Sequence, residues 1–361
     1  MSKYEVNGKI YLKQEHLYSF IPLCQDIMLK KVPKLDLKDK KICYQLDINA
    51  RQSLQQLAKK IGLSKQVISY RIKNLIEKGV IKGFYTILDA NKLGFITFKV
   101  YVKMKDFTLE KEKEFIDYLT KHKAVAWVVM SNGYWDYNMV YFGRNLVEFN
   151  NYFQEFLQKF RDYVDDKEVS QVVEAYQFRR AYILGEKEDD TKFDSMNSPT
   201  PPKWQGDDID WEILKILAPN AKAELLEIGE KVNLSPKAVS IRIKRMIDKG
   251  IIQSFRAQFD ISLLGFDYFK VFLNVKNFDK QKENTLFTWL KYQPNIVYVT
   301  KAIGKSDYEF EMQAKGREEF HQVLNEFREK FKGIISTVES LHYQKEYKFL
   351  YLPEATEGEW T

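Results

Sequence analysis

Residues 63–84 read LSKQVISYRIKNLIEKGVIKGF, and residues 234–255 read LSPKAVSIRIKRMIDKGIIQSF. The two stretches are identical at eleven of 22 positions without a gap, at an offset of 171 residues. The same offset also aligns residues 93–95 (LGF) with residues 264–266 (LGF). Solenoid repeats have periods of roughly 20–50 residues, so an offset this long indicates that a unit of several domains is present twice in one chain.

The repeated stretch has the pattern of a capped helix that follows a tight turn. Ser64 and Ser235 are good N-cap residues, and Pro236 stands in the first helical turn, where proline is tolerated. Gly62 and Asn233 suit a left-handed backbone position in the turn before the helix. In each copy this helix is the third of three short helical segments, which is the order of a helix-turn-helix domain.

One face of the third helix is apolar and is expected to pack on the two preceding helices. Its residues are Ile68, Ile72, Leu75 and Ile76 in the first copy and Val239, Ile243, Met246 and Ile247 in the second. Gly79 and Gly250 are expected to end the helices, and residues 80–84 are expected to lead into a wing-like hairpin.

The opposite face carries residue types that contact phosphates or base edges in DNA complexes. They are Lys65, Gln66, Ser69, Tyr70 and Lys73 in the first copy and Lys237, Ala238, Ser240, Ile241 and Lys244 in the second. Arg71 and Arg242 fit two roles equally well, a phosphate contact or a brace to a neighbouring helix. A basic helix face is often only solvated, but the preceding turn, the recurrence and the local charge favour DNA binding.

Charge is distributed unequally between the copies. The whole chain has a formal net charge of +7. Residues 34–83 hold twelve Lys and Arg against four Asp and Glu, whereas residues 207–254 hold eight of each. The first copy therefore has the stronger positive field for a polyanion.

The second half of each copy alternates strands and helices in the order βαββαβ, which is the ferredoxin-like arrangement. The predicted fold class is α+β, with two copies of a winged helix-turn-helix domain followed by a ferredoxin-like βαββαβ domain. The predicted segments are an amino-terminal extension (1–34), the first helix-turn-helix (35–84), the first ferredoxin-like domain (85–185), a linker (186–206), the second helix-turn-helix (207–255), the second ferredoxin-like domain (256–352) and a tail (353–361). Within the extension, an Asn-Gly turn predicts a hairpin before a helical stretch over residues 16–31.

Composition argues against several other classes of protein. Cys24 and Cys43 form neither a disulfide framework nor a Cys-x-x-Cys site, and the four histidines have no metal-ligand spacing. The sequence shows no stretch typical of a signal peptide or a membrane span. We therefore expect a cytoplasmic protein with no cofactor, no metal site, no catalytic residues and no membrane partner.

The run LDLKDKKICYQLDINARQSLQQLAKKIGLSKQVISYRIKNLIEKGVIKGFYTILDANKLGF (residues 35–95) resembles the amino-terminal domain of the Lrp/AsnC (feast/famine) transcription regulators. The βαββαβ halves resemble the effector-binding and oligomerisation domain of the same family. The resemblance implies double-stranded DNA as a partner, pairing through the sheet domains, further association of the pairs and a small-molecule effector such as an amino acid. With two units in one chain, it implies a single-chain pseudo-dimer.

The resemblance also implies an effector site near a Gly-x-x-Asp turn between the two central strands. The matching residues are Gly133, Asp136, Gly304 and Asp307. In the alternative interpretation of these residues, glycine makes the turn and aspartate caps it. Two other functions remain open at this point: an amino-acid-sensing module that acts on a protein partner, and an enzyme similar to siroheme decarboxylases, which share this architecture.

Overall fold

The computed structural model describes residues 3–6, 9–12, 32–185, 192–276 and 279–352 of the chain. Near the amino terminus, β1 (Lys3–Val6) and β2 (Lys9–Leu12) form an antiparallel pair in which Val6 lies opposite Lys9. This pair agrees with the predicted hairpin. The helix predicted over residues 16–31, Cys24 and the tail of residues 353–361 fall outside the described residues.

The first helix-turn-helix (HTH1) consists of α1 (Leu37–Ile48), α2 (Leu54–Ile61) and α3 (Lys65–Glu77). Each helix begins after an N-cap side chain, from Asp36, Ser53 or Ser64, that accepts a backbone N–H of the first turn. This local chemistry explains why three short helices form within about 40 residues of sequence.

The rest of the first copy begins with strand β3 (Ile81–Leu88) and continues with a βαββαβ unit. The unit consists of β4 (Ile96–Met104), α4 (Leu109–Lys121), β5 (Val125–Asn132), β6 (Tyr137–Gly143), α5 (Leu146–Phe160) and β7 (Val164–Phe178). A further strand, β8 (Phe193–Asn197), lies between the copies.

The second copy repeats this series. The second helix-turn-helix (HTH2) consists of α6 (Asp208–Leu217), α7 (Leu225–Val232) and α8 (Pro236–Asp248). After it come β9 (Ile252–Phe259), β10 (Asp267–Val275), α9 (Lys280–Tyr292), β11 (Ile296–Ile303), β12 (Tyr308–Ala314), α10 (Gly316–Phe331) and β13 (Ile335–Phe349).

The eight βαββαβ strands close into a barrel, in the order β11-β12-β10-β13-β5-β6-β4-β7 with β7 pairing back to β11. Within each copy the order of the four strands is ferredoxin-like, as predicted. The two sheets are joined because β7 and β13 are each 15 residues long. The first half of each long strand pairs within its own copy, and the second half pairs with β11 or β5 of the other copy.

The predicted wing-like hairpin is wrong in its pairing partner. Strand β3 does not fold back within its own copy; it pairs antiparallel with β9 of the other copy, with Thr86 opposite Phe255. This two-stranded ribbon lies between the helix-turn-helix domains. The Ala50 N–H donates to the Phe255 carbonyl (2.7 Å) and the Ala221 N–H to the Phe84 carbonyl (3.0 Å), so each helix-turn-helix is fastened to the strand of the opposite copy.

The segment predicted as a linker is more ordered than its composition suggests. Within it, β8 pairs with the end of β7, and Asp194 of β8 accepts from the buried Arg256 guanidinium of β9 at 2.5 Å. Trp204 packs edge to face on Trp211 of α6, with 5.4 Å between ring centroids. The Trp204 ring and the buried Asp194 carboxylate thus hold parts of this connection in place, although the segment has few apolar residues.

Two features of the molecule as a whole bear on function. A cavity of about 1350 Å³ lies in the barrel beneath the ribbon, and we call it the barrel cavity. Across the described ranges, no helix has the length and apolar character needed to cross a membrane.

Candidate nucleic-acid interface

Helices α3 and α8 are placed by the same local devices in both copies. Gly62 ends α2 with φ 73° and ψ 49°, and Asn233 ends α7 with φ 54° and ψ 47°, so both turns use the expected left-handed residue. The Ser64 hydroxyl then accepts the Val67 N–H at 3.3 Å. The Ser235 hydroxyl likewise accepts the Ala238 N–H at 3.2 Å.

The buried face of each third helix is narrower than predicted. Ile68, Ile72 and Leu75 are buried in α3, as are Val239, Ile243 and Met246 in α8. Ile76 and Ile247 are 45% and 42% exposed, so the prediction that they are core residues is wrong. An apolar side chain becomes a core residue only where another element packs over it, and these two positions, one residue before the end of each third helix, remain partly uncovered.

The outer face of α3 is open to solvent. Lys65, Gln66, Ser69, Tyr70 and Lys73 are all exposed, and 70% of Tyr70 is accessible. Lys73 has Glu77 one turn away at 3.7 Å, but both side chains are largely exposed, so this pair is weak. A large aromatic ring exposed to water on the outer face of a helix is unfavourable to hydrate. Such a ring is a suitable contact for a binding partner.

The outer face of α8 has the same exposure with different chemistry. Lys237, Ser240, Ile241 and Lys244 are exposed and Ala238 is half-buried. Ile241, which occupies the position of Tyr70, is 60% exposed. The two faces therefore present an aromatic phenol in one copy and a branched aliphatic group in the other.

Arg71 and Arg242 are engaged by helix partners. The Arg71 Nη1 lies 2.8 Å from an Asp36 carboxylate oxygen and 2.7 Å from one of Asp39, and Arg242 pairs with Asp207 and Asp210 at 2.7 and 2.9 Å. The bracing role is thus the one observed. The Asp39 backbone N–H and the Arg71 guanidinium lower the pKa of Asp36, although its slight burial acts in the opposite direction.

The copies differ in how many arginines brace the third helix. In HTH2 a second arginine, Arg245, also lies on the carboxylates of Asp207 and Asp210. The corresponding residue of HTH1 is Asn74. In HTH2 two carboxylates thus engage two arginines of the third helix, whereas Lys65 on α3 forms no ion pair among the described residues.

The predicted effector residues make two kinds of contact: the glycines meet the other copy and the aspartates hydrogen-bond within their own. Asp136 accepts the Met104 N–H at 2.7 Å and Asp307 accepts the Val275 N–H at 2.8 Å, each capping the neighbouring strand. Gly133 lies against Leu341 of the other copy, where an added Cβ would come within 2.8 Å of the Leu341 Cβ, and an added Cβ on Gly304 would collide with the Val169 carbonyl. The turn-and-cap interpretation describes what these residues do in the structure, and effector binding there stays a prediction.

Sequence reasoning did not single out the charged residues inside the barrel. The Lys99 and Lys270 ammonium groups lie 2.6 and 2.7 Å from the same Glu309 carboxylate oxygen, and all three residues are at least 91% buried. The offset of 171 residues relates the two lysines to each other, and each stands between apolar residues of a strand. The recurrence of a lysine at this position in both copies is the sequence feature that could have identified these residues. Elsewhere, no group of three or more His, Cys, Asp or Glu within the described ranges is arranged to hold a metal ion.

Comparisons with known proteins place this architecture. The family model described as winged helix-turn-helix DNA-binding matches twice, at residues 35–82 and 206–253. The transcriptional regulator AzlB of Bacillus subtilis (strain 168) is 33% identical over 119 residues, which cover 33% of this chain and 76% of that protein. The proline dehydrogenase transcriptional activator of Rhizobium radiobacter is 38% identical over 109 residues, covering 30% of this chain and 69% of that protein.

A solved structure resembles most of the chain. The crystal structure of the siroheme decarboxylase NirDL superimposes with a TM-score of 0.58 over 89% of this chain and 95% of that one, at 14% sequence identity. At this identity the similarity shows the fold alone, which combines tandem helix-turn-helix and ferredoxin-like units. Given the twofold helix-turn-helix match, the βαββαβ halves and the regulator sequences, the chain belongs to the Lrp/AsnC family of DNA-binding transcription regulators.

Proposed function

We propose that the chain binds double-stranded DNA as a single-chain pseudo-dimer, in which α3 and α8 contact two half-sites. The observation that carries this proposal is the exposed outer face of each helix, with Lys65, Lys237 and Lys244 uncommitted to ion pairs among the described residues. Lysine at such positions suits phosphate contacts, and the exposed Tyr70 and Ile241 suit apolar contacts in a groove.

The pseudo-dimer supplies a geometric reason for two half-sites. The ribbon of β3 and β9 joins the helix-turn-helix domains, and each domain is hydrogen-bonded to the opposite strand. Paired reading helices of this kind contact half-sites about one helical turn apart, roughly 10 bp, or a multiple of that spacing. Because the two outer faces differ in Tyr70 against Ile241 and in charge, the proposed operator is asymmetric.

The proposed regulator responds to a small molecule, such as an amino acid, and its pseudo-dimers associate further. The Gly133 and Gly304 turns lie where the copies meet, so a ligand or a second molecule that contacts them can act on both copies at once. This proposal and the cytoplasmic location rest on the family.

We further propose that the chain is not an enzyme. Decarboxylation of a tetrapyrrole with many carboxylates calls for His and Arg side chains that converge on the substrate. Among the histidines of the described ranges, His342 alone lines the barrel cavity, and its ring stacks on Phe269 with 4.8 Å between centroids. Incubation of the purified protein with siroheme, followed by mass spectrometry of the tetrapyrrole, tests this: we expect no loss of carboxylate groups, and release of CO₂ would favour the decarboxylase function.

The experiment for the main proposal is selection of bound fragments from random duplex DNA by the full-length protein, followed by affinity measurements at several salt concentrations. We expect an enriched motif with two unlike halves and a linear fall of log K with log salt, since each neutralised phosphate contributes a slope of about −0.9. Weak, uniform binding with no motif would contradict the proposal and favour a sensing module that acts on a protein partner.

A further inference from the structure

The barrel cavity is large, and its lining includes both buried and solvent-exposed residues. Its volume of about 1350 Å³ exceeds the roughly 300–1,000 Å³ of ordinary small-molecule pockets. All eight barrel strands and both ribbon strands contribute to its lining. The lining extends from buried Arg180 and Gln313 at one end to exposed Lys113 of α4 and Gln344 of β13 at the other.

Aromatic side chains form much of the wall. Tyr85 and Tyr351 stack in parallel, with ring centroids 5.4 Å apart and planes within 2°. Tyr268 and Tyr298 also line the cavity and retain accessible surface. Burial raises the pKa of both phenols well above the ordinary value, so both hydroxyl groups stay protonated at neutral pH. Flat aromatic faces of this kind favour a planar ring.

Hydrogen-bond donors without a full set of partners stand at the inner end. The Gln313 Oε1 accepts from Arg180 Nε at 3.3 Å and from the Tyr182 hydroxyl, whereas the Gln313 Nε2 has no partner among the described residues although Gln313 is only 1% exposed. Among the described residues the Arg180 Nε donates to Gln313 and the Nη1 donates to Asp47, and Nη2 is the nitrogen that we assign to a ligand. Buried donors without acceptors are costly, so a ligand that supplies acceptors is favoured.

The inner end also connects to HTH1. Asp47 of α1 is fully buried between Arg180, at 2.6 Å, and Arg256, at 3.6 Å. Burial alone would raise the pKa of Asp47, but the two guanidinium groups outweigh it and lower that pKa, so the carboxyl is ionised. The corresponding residue of HTH2 is Ala218. The ionic connection between the barrel cavity and a helix-turn-helix domain therefore exists on one side only.

We propose that the barrel cavity binds a planar aromatic molecule that carries a carboxylate, with the ring against Tyr268 and Tyr298 and the carboxylate on Arg180 and Gln313. A carboxylate bound at Arg180 Nη2 draws the guanidinium away from Asp47, so occupancy loosens α1 and weakens binding of the half-site contacted by α3. Ligand binding stands independently of DNA, whereas the effect on the half-site rests on the proposed DNA-binding function. This site is separate from the Gly133 and Gly304 turns.

The first test is calorimetric titration of the full-length protein, without DNA, against three probes. Indole-3-acetate has both proposed features, indole-3-acetamide lacks the charge and cyclohexylacetate lacks the planar ring. We expect indole-3-acetate to bind at least tenfold more tightly than either analogue. No heat from indole-3-acetate at millimolar concentrations, or equal affinity for the three probes, overturns the proposal whatever the variants do.

A pair of variants locates the site. Gln313→Glu keeps an acceptor for Arg180 and Tyr182 but replaces the Nε2 donor with a carboxylate oxygen, so we expect indole-3-acetate to bind at least tenfold more weakly. Gln154→Glu makes the same change on the exposed face of α5 and is expected to leave the affinity unchanged. Equal affinity of the two variants would place the ligand elsewhere and overturn the assignment.

The regulatory half is tested with the selected operator DNA. Indole-3-acetate is expected to weaken protein binding to DNA that keeps the α3 half-site and to leave binding through the α8 half-site unchanged. Ligand binding without this difference overturns the coupling through Asp47. Absence of any operator refutes the DNA-binding function and leaves the calorimetric result standing.

Discussion

Two cations of the same reading helix have opposite environments. Lys65 is exposed and forms no ion pair with the described residues, whereas Arg71 lies between the carboxylates of Asp36 and Asp39. Both are basic residues on the outer side of one helix, so only the position of α1 distinguishes them. A phosphate contact and an internal brace have different effects when the side chain is removed.

Replacing Arg71 with alanine is expected to lower the free energy of unfolding by about 1–2 kcal/mol, because it removes hydrogen bonds from a charged group to the mostly buried Asp39. Urea unfolding measures this loss. Lys65→Ala is the matched variant, with an expected change within about 0.5 kcal/mol. In DNA titrations the order reverses, since Lys65→Ala is expected to reduce the slope of log K against log salt by about 1. A reduced slope for Arg71→Ala would restore its predicted phosphate contact.

Asp136 predicts a pH dependence of stability. Burial raises its pKa to about 6, although the Met104 N–H and Lys103 act against this shift. In the unfolded chain the pKa is about 3.9, so the folded state holds the proton more tightly. Stability from this group is therefore greatest below about pH 4 and is lost as the pH rises through about 6.

The measurement for Asp136 is urea unfolding of wild type and Asp136→Asn at about pH 4.5 and about pH 7. Between these pH values the contribution of Asp136 to the free energy of unfolding falls by about 2 kcal/mol. Wild type is expected to lose up to that amount of stability relative to the variant over this interval, because the amide does not ionise. An identical pH dependence in both proteins would contradict the raised pKa.

At the scale of elements, both helix-turn-helix domains depend on one left-handed residue between the second and third helices. HTH1 uses Gly62 there and HTH2 uses Asn233. An added Cβ on Gly62 meets only the Lys38 ammonium, at 3.7 Å, so the site has space and the restriction comes from the backbone. The two turns therefore have the same backbone geometry, but the left-handed conformation costs more free energy at Asn233 than at Gly62.

Gly62→Ala is expected to destabilise the protein by about 1–2 kcal/mol, which is the cost of a left-handed conformation for a residue with a Cβ. Asn233→Gly is the reciprocal change and is expected to be within about 0.5 kcal/mol of wild type or slightly more stable, since glycine adopts this conformation freely. Thermal or urea unfolding of both variants tests the pair. Equal losses would show that side-chain contacts, and not backbone conformation, decide these turns.

At the scale of the whole molecule, charge makes the two copies complementary. Glu309 of the second copy lies between Lys99 and Lys270, and Glu311 lies 3.4 Å from Lys270, whereas their counterparts in the first copy are the uncharged Asn138 and Val140. Burial would raise the pKa of Glu309, but Lys270 and Lys99 bring it down to about 2. Two first copies would bury two lysines with no carboxylate, and two second copies would bury four carboxylates with two lysines. The barrel thus favours one copy of each kind.

Glu309→Gln leaves buried lysines without this counter-charge and is expected to cost about 3–5 kcal/mol of unfolding free energy. Lys99→Met in the same chain is expected to recover part of the loss, because it removes a stranded charge. The control is Glu77→Gln, an exposed member of a weak pair, with a loss below about 0.5 kcal/mol. A loss below about 1 kcal/mol for Glu309→Gln would contradict the pairing role.

The operator prediction also belongs to this scale. Lys65→Ala is expected to weaken DNA binding more than Lys237→Ala, because HTH1 carries the larger excess of positive charge and HTH2 balances its arginines with aspartates. Affinities for operators with one half-site scrambled at a time separate the two contributions. Equal losses would contradict the electrostatic asymmetry.

The sequence by itself determined the local elements. Caps at Ser64 and Ser235, the turns at Gly62 and Asn233 and the alternation of apolar residues act over a few positions, so the helices, the βαββαβ order, the duplication and the family could be read from residue types alone. The exposed outer faces of the third helices follow from the same periodicity. The predicted hairpin and the burial of Ile76 failed where the outcome depended on a distant neighbour.

Only the tertiary structure decided how the copies meet. Pairing of β3 with β9 and of the long strands with the opposite sheet joins residues far apart in the chain, and no local pattern specifies such partners. The same holds for Arg71 as a brace, for Glu309 between two lysines and for the cavity beside Arg180. The physical reason is that capping and periodicity are short-range, whereas burial and charge neutralisation depend on which elements pack together.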